Sequence, residues 1–263
     1  MIYRLDSLEE GPINPLTGSP WTDDWVVFML MDSTDTQQLC GSFHGCAYTV
    51  KTSRTAHPDW KMAAGDFMSF HQAAGHRAVL CMSEAEYAEV IACYQGHGHS
   101  DRFLRPDEPL ALIHSTPPDS WAHIRQDGML KSWNRLCREG FLQETQPIGR
   151  QLGDPADFSD YIMFGSGVTG ELVVSSRQRG GIAMDPSVPY TPGARLYFDA
   201  ARMAADGLLL RDGCHIKVKD ELPLQPYLLF AATWENIGLE RAVSSPAAFA
   251  RQADECFRQR LRS

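Results

Sequence analysis

Trp25-Val26-Val27-Phe28-Met29-Leu30-Met31 is an unbroken apolar run, the pattern of a strand buried on both faces. Cys46-Ala47-Tyr48-Thr49-Val50 and Arg77-Ala78-Val79-Leu80-Cys81 predict two more strands. Ser83-Glu84-Ala85-Glu86 then opens a helix: the serine can cap, and both glutamates suit the positive end of the dipole. Tyr87, Val90, Ile91 and Tyr94 continue it to a stop at Gly96. Polar and turn-forming residues follow, from His97 to Arg102 and from Pro106 to Pro109. They place a boundary between a first region, 1–105, and a second, 106–263.

The second region alternates short strands and helices. Strands are predicted at Leu110 to Ile113, Tyr161 to Phe164, Glu171 to Val174, Ala194 to Phe198 and His215 to Val218. Helices are predicted at Ser120 to Gln126 and Ala200 to Asp206. Phe249, Ala253, Phe257 and Leu261 recur at helical spacing and predict a docked C-terminal helix over Ser245 to Leu261. Together these elements give an α+β fold.

Composition narrows the function classes. At 263 residues, 43% hydrophobic and 22% charged, the chain reads as an ordinary globular protein. Its longest apolar runs are too short to cross a bilayer, and its first residues, Met-Ile-Tyr-Arg-Leu-Asp, do not read as a secretory signal. Seven cysteines without paired spacing read as reduced, mostly buried thiols of a cytoplasmic protein. A net charge of -9 argues against broad nucleic-acid binding but leaves room for a local basic pocket. His97, His99 and Asp101, and likewise Cys40, His44 and Cys46, lack the paired spacing of a zinc site, so no metal is expected. Gly165-Ser166-Gly167-Val168-Thr169-Gly170 lacks the lysine of a P-loop and reads as a flexible turn.

Four blocks carry the candidate chemistry. The first is Leu112-Ile113-His114-Ser115-Thr116 with Trp121, Ile124 and Gly128-Met129-Leu130. Lys131-Ser132-Trp133-Asn134-Arg135 is the second, and Ser176-Arg177-Gln178-Arg179-Gly180, before Leu196-Tyr197-Phe198-Asp199-Ala200, the third. The last runs from Asp206-Gly207 through Arg211-Asp212-Gly213-Cys214-His215-Ile216 to Leu222-Pro223. In this order they resemble the RNA 2'-phosphotransferase branch of the ADP-ribosyltransferase superfamily, over about half the chain. Ser115 stands where that family has glycine, and a polar insertion separates Arg135 from Tyr161. Asp160-Tyr161-Ile162-Met163-Phe164-Gly165 holds no histidine and is closer to the Tyr-Phe segment of the poly-ADP-ribose-polymerase-like branch.

The resemblance implies an ADP-ribosyltransferase-like split β-sheet domain in the second region, preceded by a smaller α/β region. NAD would be its co-substrate. His114 would hold the nicotinamide-side ribose, the Ser115 and Thr116 backbone would meet the nicotinamide amide, and Tyr161 would stack on the departing ring. Arg135, Arg177 and Arg179 would take phosphates through paired hydrogen bonds. The family's late glutamate is missing, which leaves His215 for part of its role and favours an RNA or DNA acceptor, or another phosphate-bearing one, over a protein. A toxin of this kind would carry a neutralising partner protein. An NAD-dependent RNA 2'-phosphotransferase and an inactive nucleotide-binding module are the alternatives. Each of these side chains also has an ordinary structural reading, as a strand-end histidine, a core tyrosine or a solvated arginine.

Overall fold

The structure, a computed structural model, describes residues 1–142, 146–239 and 244–262. Through Tyr94 the elements are β1 (Ile2–Leu5), β2 (Ile13–Asn14), β3 (Ser19–Pro20), β4 (Trp25–Met31), β5 (Gln38–Ser42), β6 (Tyr48–Ser53), α1 (Trp60–Ala73), β7 (Arg77–Cys81) and α2 (Glu84–Tyr94). Next come β8 (Ala111–Thr116), α3 (Pro118–Asp127), β9 (Met129–Lys131), α4 (Trp133–Arg138), α5 (Ile148–Gln151), a 3-10 turn (Ala156–Asp160), β10 (Tyr161–Phe164) and α6 (Thr169–Arg179). The remainder are β11 (Ala194–Asp199), α7 (Ala200–Ala205), β12 (Leu210–Arg211), β13 (Ile216–Lys219), β14 (Glu221–Pro223), β15 (Leu228–Thr233) and α8 (Pro246–Arg262). Residues 143–145 of the insertion after Arg135 lie outside the described residues.

The chain forms two compact units. The first comprises 1–107, 149–159 and 209–216, and the second 108–148, 160–208 and 217–263. Unit 1 is therefore discontinuous, and the segment carrying His215 belongs to it.

Unit 1 is built on a five-stranded sheet of order β1-β7-β4-β6-β5. Parallel pairing joins its first four strands, and β5 closes one edge antiparallel to β6. The apolar run of β4 lies inside this sheet, with Val26, Val27 and Phe28 fully buried. α2 starts as its sequence predicts, with Ser83 and Glu86 forming a reciprocal capping box.

In unit 2, β11 pairs antiparallel with both β15 and β8. α6 and α8 pack against this sheet, and Tyr197, Phe230 and Phe257 stack between them, with Tyr197 and Phe257 ring centroids 4.2 Å apart. On its other edge β8 touches the next segment through a single bridge, Ile113 to Gly165, beyond which lie β10 and its neighbour β13.

Three expectations are corrected. Glu171 to Val174 is not a strand but part of helix α6, because Glu171, Leu172, Ser175 and Ser176 form its buried stripe at helical spacing. Arg177 and Arg179 lie in its last turn, and Gly170 of the expected turn already belongs to this helix. The cysteines are not mostly buried: Cys40 and Cys93 are exposed, Cys46 is buried, and the others are intermediate.

Candidate functional site

Strand alternation puts His114 and Ser115 on opposite faces of β8. The Ser115 hydroxyl donates to Glu171 Oε1 at 2.5 Å, and Glu171 Oε2 accepts from Arg195 at 2.6 Å. Arg195 and Glu171 are each about 1% exposed. Arg195 also reaches Asp254 at 2.9 Å and the Gly167 carbonyl at 2.8 Å. Burial pushes the Glu171 carboxyl up, opposed by Arg195 and the Ser115 hydroxyl. A carboxylate this deep needs such partners, so the network is a buried clamp joining β8, β11, α6 and α8. The approach is tight: a side chain on Gly170 would meet Ser115 Oγ at 2.5 Å.

His114 faces the other way. Its Nδ1 lies 3.1 Å from the Met163 carbonyl, which orients the ring across the gap between β8 and β10. Burial lowers its pKa, so the imidazole is neutral, with Nδ1 donating to the carbonyl and Nε2 left as an acceptor. The phenyl of Phe164 stands edge-on to it, centroids 6.3 Å apart. Tyr161, two residues before Met163, carries the Lys217 ammonium 4.8 Å above its ring.

The predicted arginines do not gather around His114. Arg135 is held by Glu139 at 2.6 Å, Asp220 at 3.2 Å and Glu221 at 3.5 Å. Two of these carboxylates are shared with Lys131 and Arg138, so the guanidinium belongs to a surface ion-pair network. Arg177 lies over the Trp133 ring at 5.2 Å, and Arg179 donates to the Pro189 carbonyl at 3.0 Å. Both sit in the last turn of α6, and the helix rise puts Arg179 about 14 Å along its axis from Gly170, where Ser115 touches it.

A depression of about 430 Å³ opens where β8 passes into α3, lined by Pro118, Trp121, Arg125, Gly193 and Trp234 among others. Its size falls within the range of small-molecule sites. Gly193 is needed at its rim, since a side chain there would meet the Thr116 carbonyl at 2.1 Å. Thr116, the third residue of the His-Ser-Thr block, is buried beside it.

A separate constellation lies in unit 1, where His215 is found. Asp212, fully buried, accepts from the backbone N–H groups of Cys214 at 2.9 Å and His215 at 2.6 Å. Its second oxygen is 3.3 Å from His215 Nδ1. This turn needs glycine at 213, where φ is +87° and a side chain would meet the Ala63 carbonyl at 2.5 Å. Gln38 of β5 straps the turn by donating to the Gly213 carbonyl at 2.6 Å. With Nδ1 fixed, His215 turns Nε2 to Cys40 Sγ, 3.6 Å away on the same edge strand. Cys214 completes the cluster, with the ligand atoms of all three residues within 4.8 Å of one another.

The charges in this cluster are strongly perturbed. Hydrogen bonding from Cys214 pulls the Cys40 thiol down, and His215 adds to this. Cys214 is pushed up by its bond to Cys40 and by burial. Burial disfavours charge on His215, but Asp212 and Cys40 outweigh it and lift the imidazole to about 10. The sequence sets Cys40 beside His44 and Cys46 and Cys214 in the last block, and does not join them because Cys40 and His215 are 175 positions apart. The one local signal is the Asp-Gly-Cys-His turn, whose aspartate bonds its own backbone two residues on.

His97, His99 and Asp101 have structural partners. His99 bonds Ser69 at 2.8 Å, and Asp101 pairs with Arg105 at 2.9 Å. Compared with protein-family models, curated proteins and solved structures, the chain matches none. No helix among the described residues is long and apolar enough to cross a membrane.

Proposed function

We propose that unit 2 binds NAD and transfers its ADP-ribose to a nucleic-acid or other phosphate-bearing acceptor. The observation that carries this reading is the division of faces at His114-Ser115. The serine at the position of the family's glycine turns into the Glu171–Arg195 clamp, so it does not compete with His114 for a ligand on the other face. His114, neutral and oriented by the Met163 carbonyl, offers Nε2 to a ribose hydroxyl. The narrow contact between β8 and the β10 segment, a single bridge at Ile113, agrees with the split sheet that the resemblance implies.

The reaction asks for orientation and charge stabilisation. The nicotinamide–ribose bond breaks, its electron pair leaves with nicotinamide, and an acceptor oxygen attacks the cationic sugar carbon while its proton passes to solvent. Holding the ribose rigidly lowers the entropic part of that barrier. Acceptor binding is assigned to the depression after β8, where Trp121 and Trp234 offer faces for a base and exposed Arg125 offers a guanidinium for phosphate. Arg135, paired with Glu139, Asp220 and Glu221, is given no part in this scheme.

Incubation with radiolabelled NAD and separate pools of RNA, DNA and protein tests the reading. Nicotinamide release and label on nucleic acid are expected, both lost in His114→Ala. Label on protein alone, or release unaffected by His114→Ala, would overturn it.

A further inference from the structure

Cys40, Cys214 and His215 all lie in unit 1, whereas His114 lies in unit 2. We propose that they bind a zinc ion through two thiolates and one imidazole, leaving a fourth coordination position open to water or an exogenous ligand.

Geometry carries the proposal. Zn–S bonds of about 2.3 Å and Zn–N bonds of about 2.0–2.1 Å at a tetrahedral angle separate sulfur from nitrogen by about 3.6 Å, and Cys40 Sγ stands 3.6 Å from His215 Nε2. The third donor, Cys214 Sγ, lies within the same 4.8 Å cluster. Two soft sulfurs and an imidazole are the donor set that zinc selects over the hard cations.

The surroundings are those of a built ligand set. Asp212 fixes the histidine through Nδ1, the carboxylate–histidine arrangement that orients an imidazole for a metal on its other nitrogen. That aspartate is itself anchored by two backbone N–H groups. The turn is strapped to β5, the strand carrying Cys40, by the Gln38 bond to Gly213.

An independent observation comes from Tyr48. It is about 3% exposed, and its hydroxyl is turned to the Cys40 thiol, which it helps to pull down. In the β5–β6 register Tyr48 pairs with Ser42 and Cys40 with Val50, so the phenol and the thiol rise from one face of the sheet as diagonal neighbours. The phenol is pushed well up by burial first, then by Cys214, Asp212 and Cys40, the groups it faces. A buried phenol beside the three-ligand cluster is placed to bond an oxygen on the fourth position. On binding, the Cys214 thiol and the Cys40–His215 pair each release one proton to solvent, the two sulfurs and His215 Nε2 each give a lone pair to the metal, and no oxidant is needed.

Cobalt(II) makes the site visible. Added to the full-length, reduced and metal-stripped protein, one equivalent is expected to give the intense d–d absorption of a tetrahedral centre and a thiolate charge-transfer band. One equivalent of zinc should bleach both. Cys40→Ser and Cys214→Ser should each lower affinity at least 100-fold, and His215→Ala at least 10-fold. Tyr48→Phe should bind within about threefold of wild type, because the phenol is not a ligand. Azide should shift the cobalt spectrum, since one position is open. In the unmutated protein, zinc should slow alkylation of Cys40 by iodoacetamide at least tenfold, a readout that does not depend on any variant folding. Absence of the tetrahedral bands, equal binding by Cys40→Ser, or zinc-independent alkylation would overturn the proposal. The last result would point to a thiolate nucleophile activated by His215. A spectrum indifferent to azide would overturn the open position.

Discussion

Ser115→Ala is the substitution that separates the two faces of β8. In a site where the residue after the histidine meets the ligand, trimming it should change turnover first. Here the hydroxyl donates to Glu171 Oε1 at 2.5 Å, and the Arg195 bond to Glu171 Oε2 at 2.6 Å does not depend on it. Hydrogen bonds to charged groups contribute about 1.5–3 kcal/mol, and the surviving ion pair places this one at the lower end, about 1.5–2 kcal/mol. Arg195→Met is the harsher companion. It leaves a carboxylate only about 1% exposed without its cation, and breaking such a pair costs about 3–5 kcal/mol. Because Ser115 and Arg195 meet at one carboxylate, the double substitution should fall short of the sum of the singles. Urea denaturation of the wild type, the two singles and the double variant measures this, alongside nicotinamide release under native conditions. The expected result is lower stability in the stated order, with Ser115→Ala turning over NAD within about twofold of wild type. Unchanged stability in Ser115→Ala, combined with a large loss of turnover, would refute the assignment of faces.

Three further outcomes follow from other contacts. Gly213→Ala places a side chain 2.5 Å from the Ala63 carbonyl at a φ of +87°, which should cost at least about 1–3 kcal/mol by thermal denaturation and weaken cobalt binding together with stability. Arg77, with help from Thr22, holds the Asp24 carboxyl down at about 2, against 3.8 ordinarily. A lowered folded-state value stabilises above the unfolded value, so this contribution should be complete above about pH 4 and lost as pH falls through about 2. The pair is largely exposed, so Asp24→Asn should cost no more than about 1 kcal/mol at pH 7 and nothing measurable near pH 1.5. Trp121→Ala should weaken single-stranded RNA binding at least fivefold in fluorescence anisotropy without altering nicotinamide release in the absence of acceptor; unchanged RNA binding would remove the depression from the scheme.

Elements whose burial is apolar were legible in the sequence. β4 is an unbroken apolar run, and α2 announces itself through a serine and a glutamate three apart. α6 was misread because its buried stripe contains Glu171, Ser175 and Ser176, which no hydrophobic pattern marks as inward-facing. Only the partner across the sheet, Arg195, explains why a glutamate is buried there. The same limit governs the sites. His114 stood out because its block is local, while its orientation depends on a carbonyl 49 residues later. Cys40 and His215 are 175 residues apart, and nothing near either residue names the other. Arg135 stands in a local block, while its partners Asp220 and Glu221 lie far along the chain, out of reach of any sequence pattern.

In the proposed scheme His114 belongs to an NAD-cleaving site whose chemistry does not use the thiol cluster. Quantifying free nicotinamide by chromatography, after NAD is incubated with wild type, His114→Ala and Cys40→Ser in the presence of RNA, tests it most directly. The account predicts release by wild type and by Cys40→Ser, with a loss of at least 100-fold in His114→Ala at unchanged stability. No release from wild type, or equal release from His114→Ala, would contradict it.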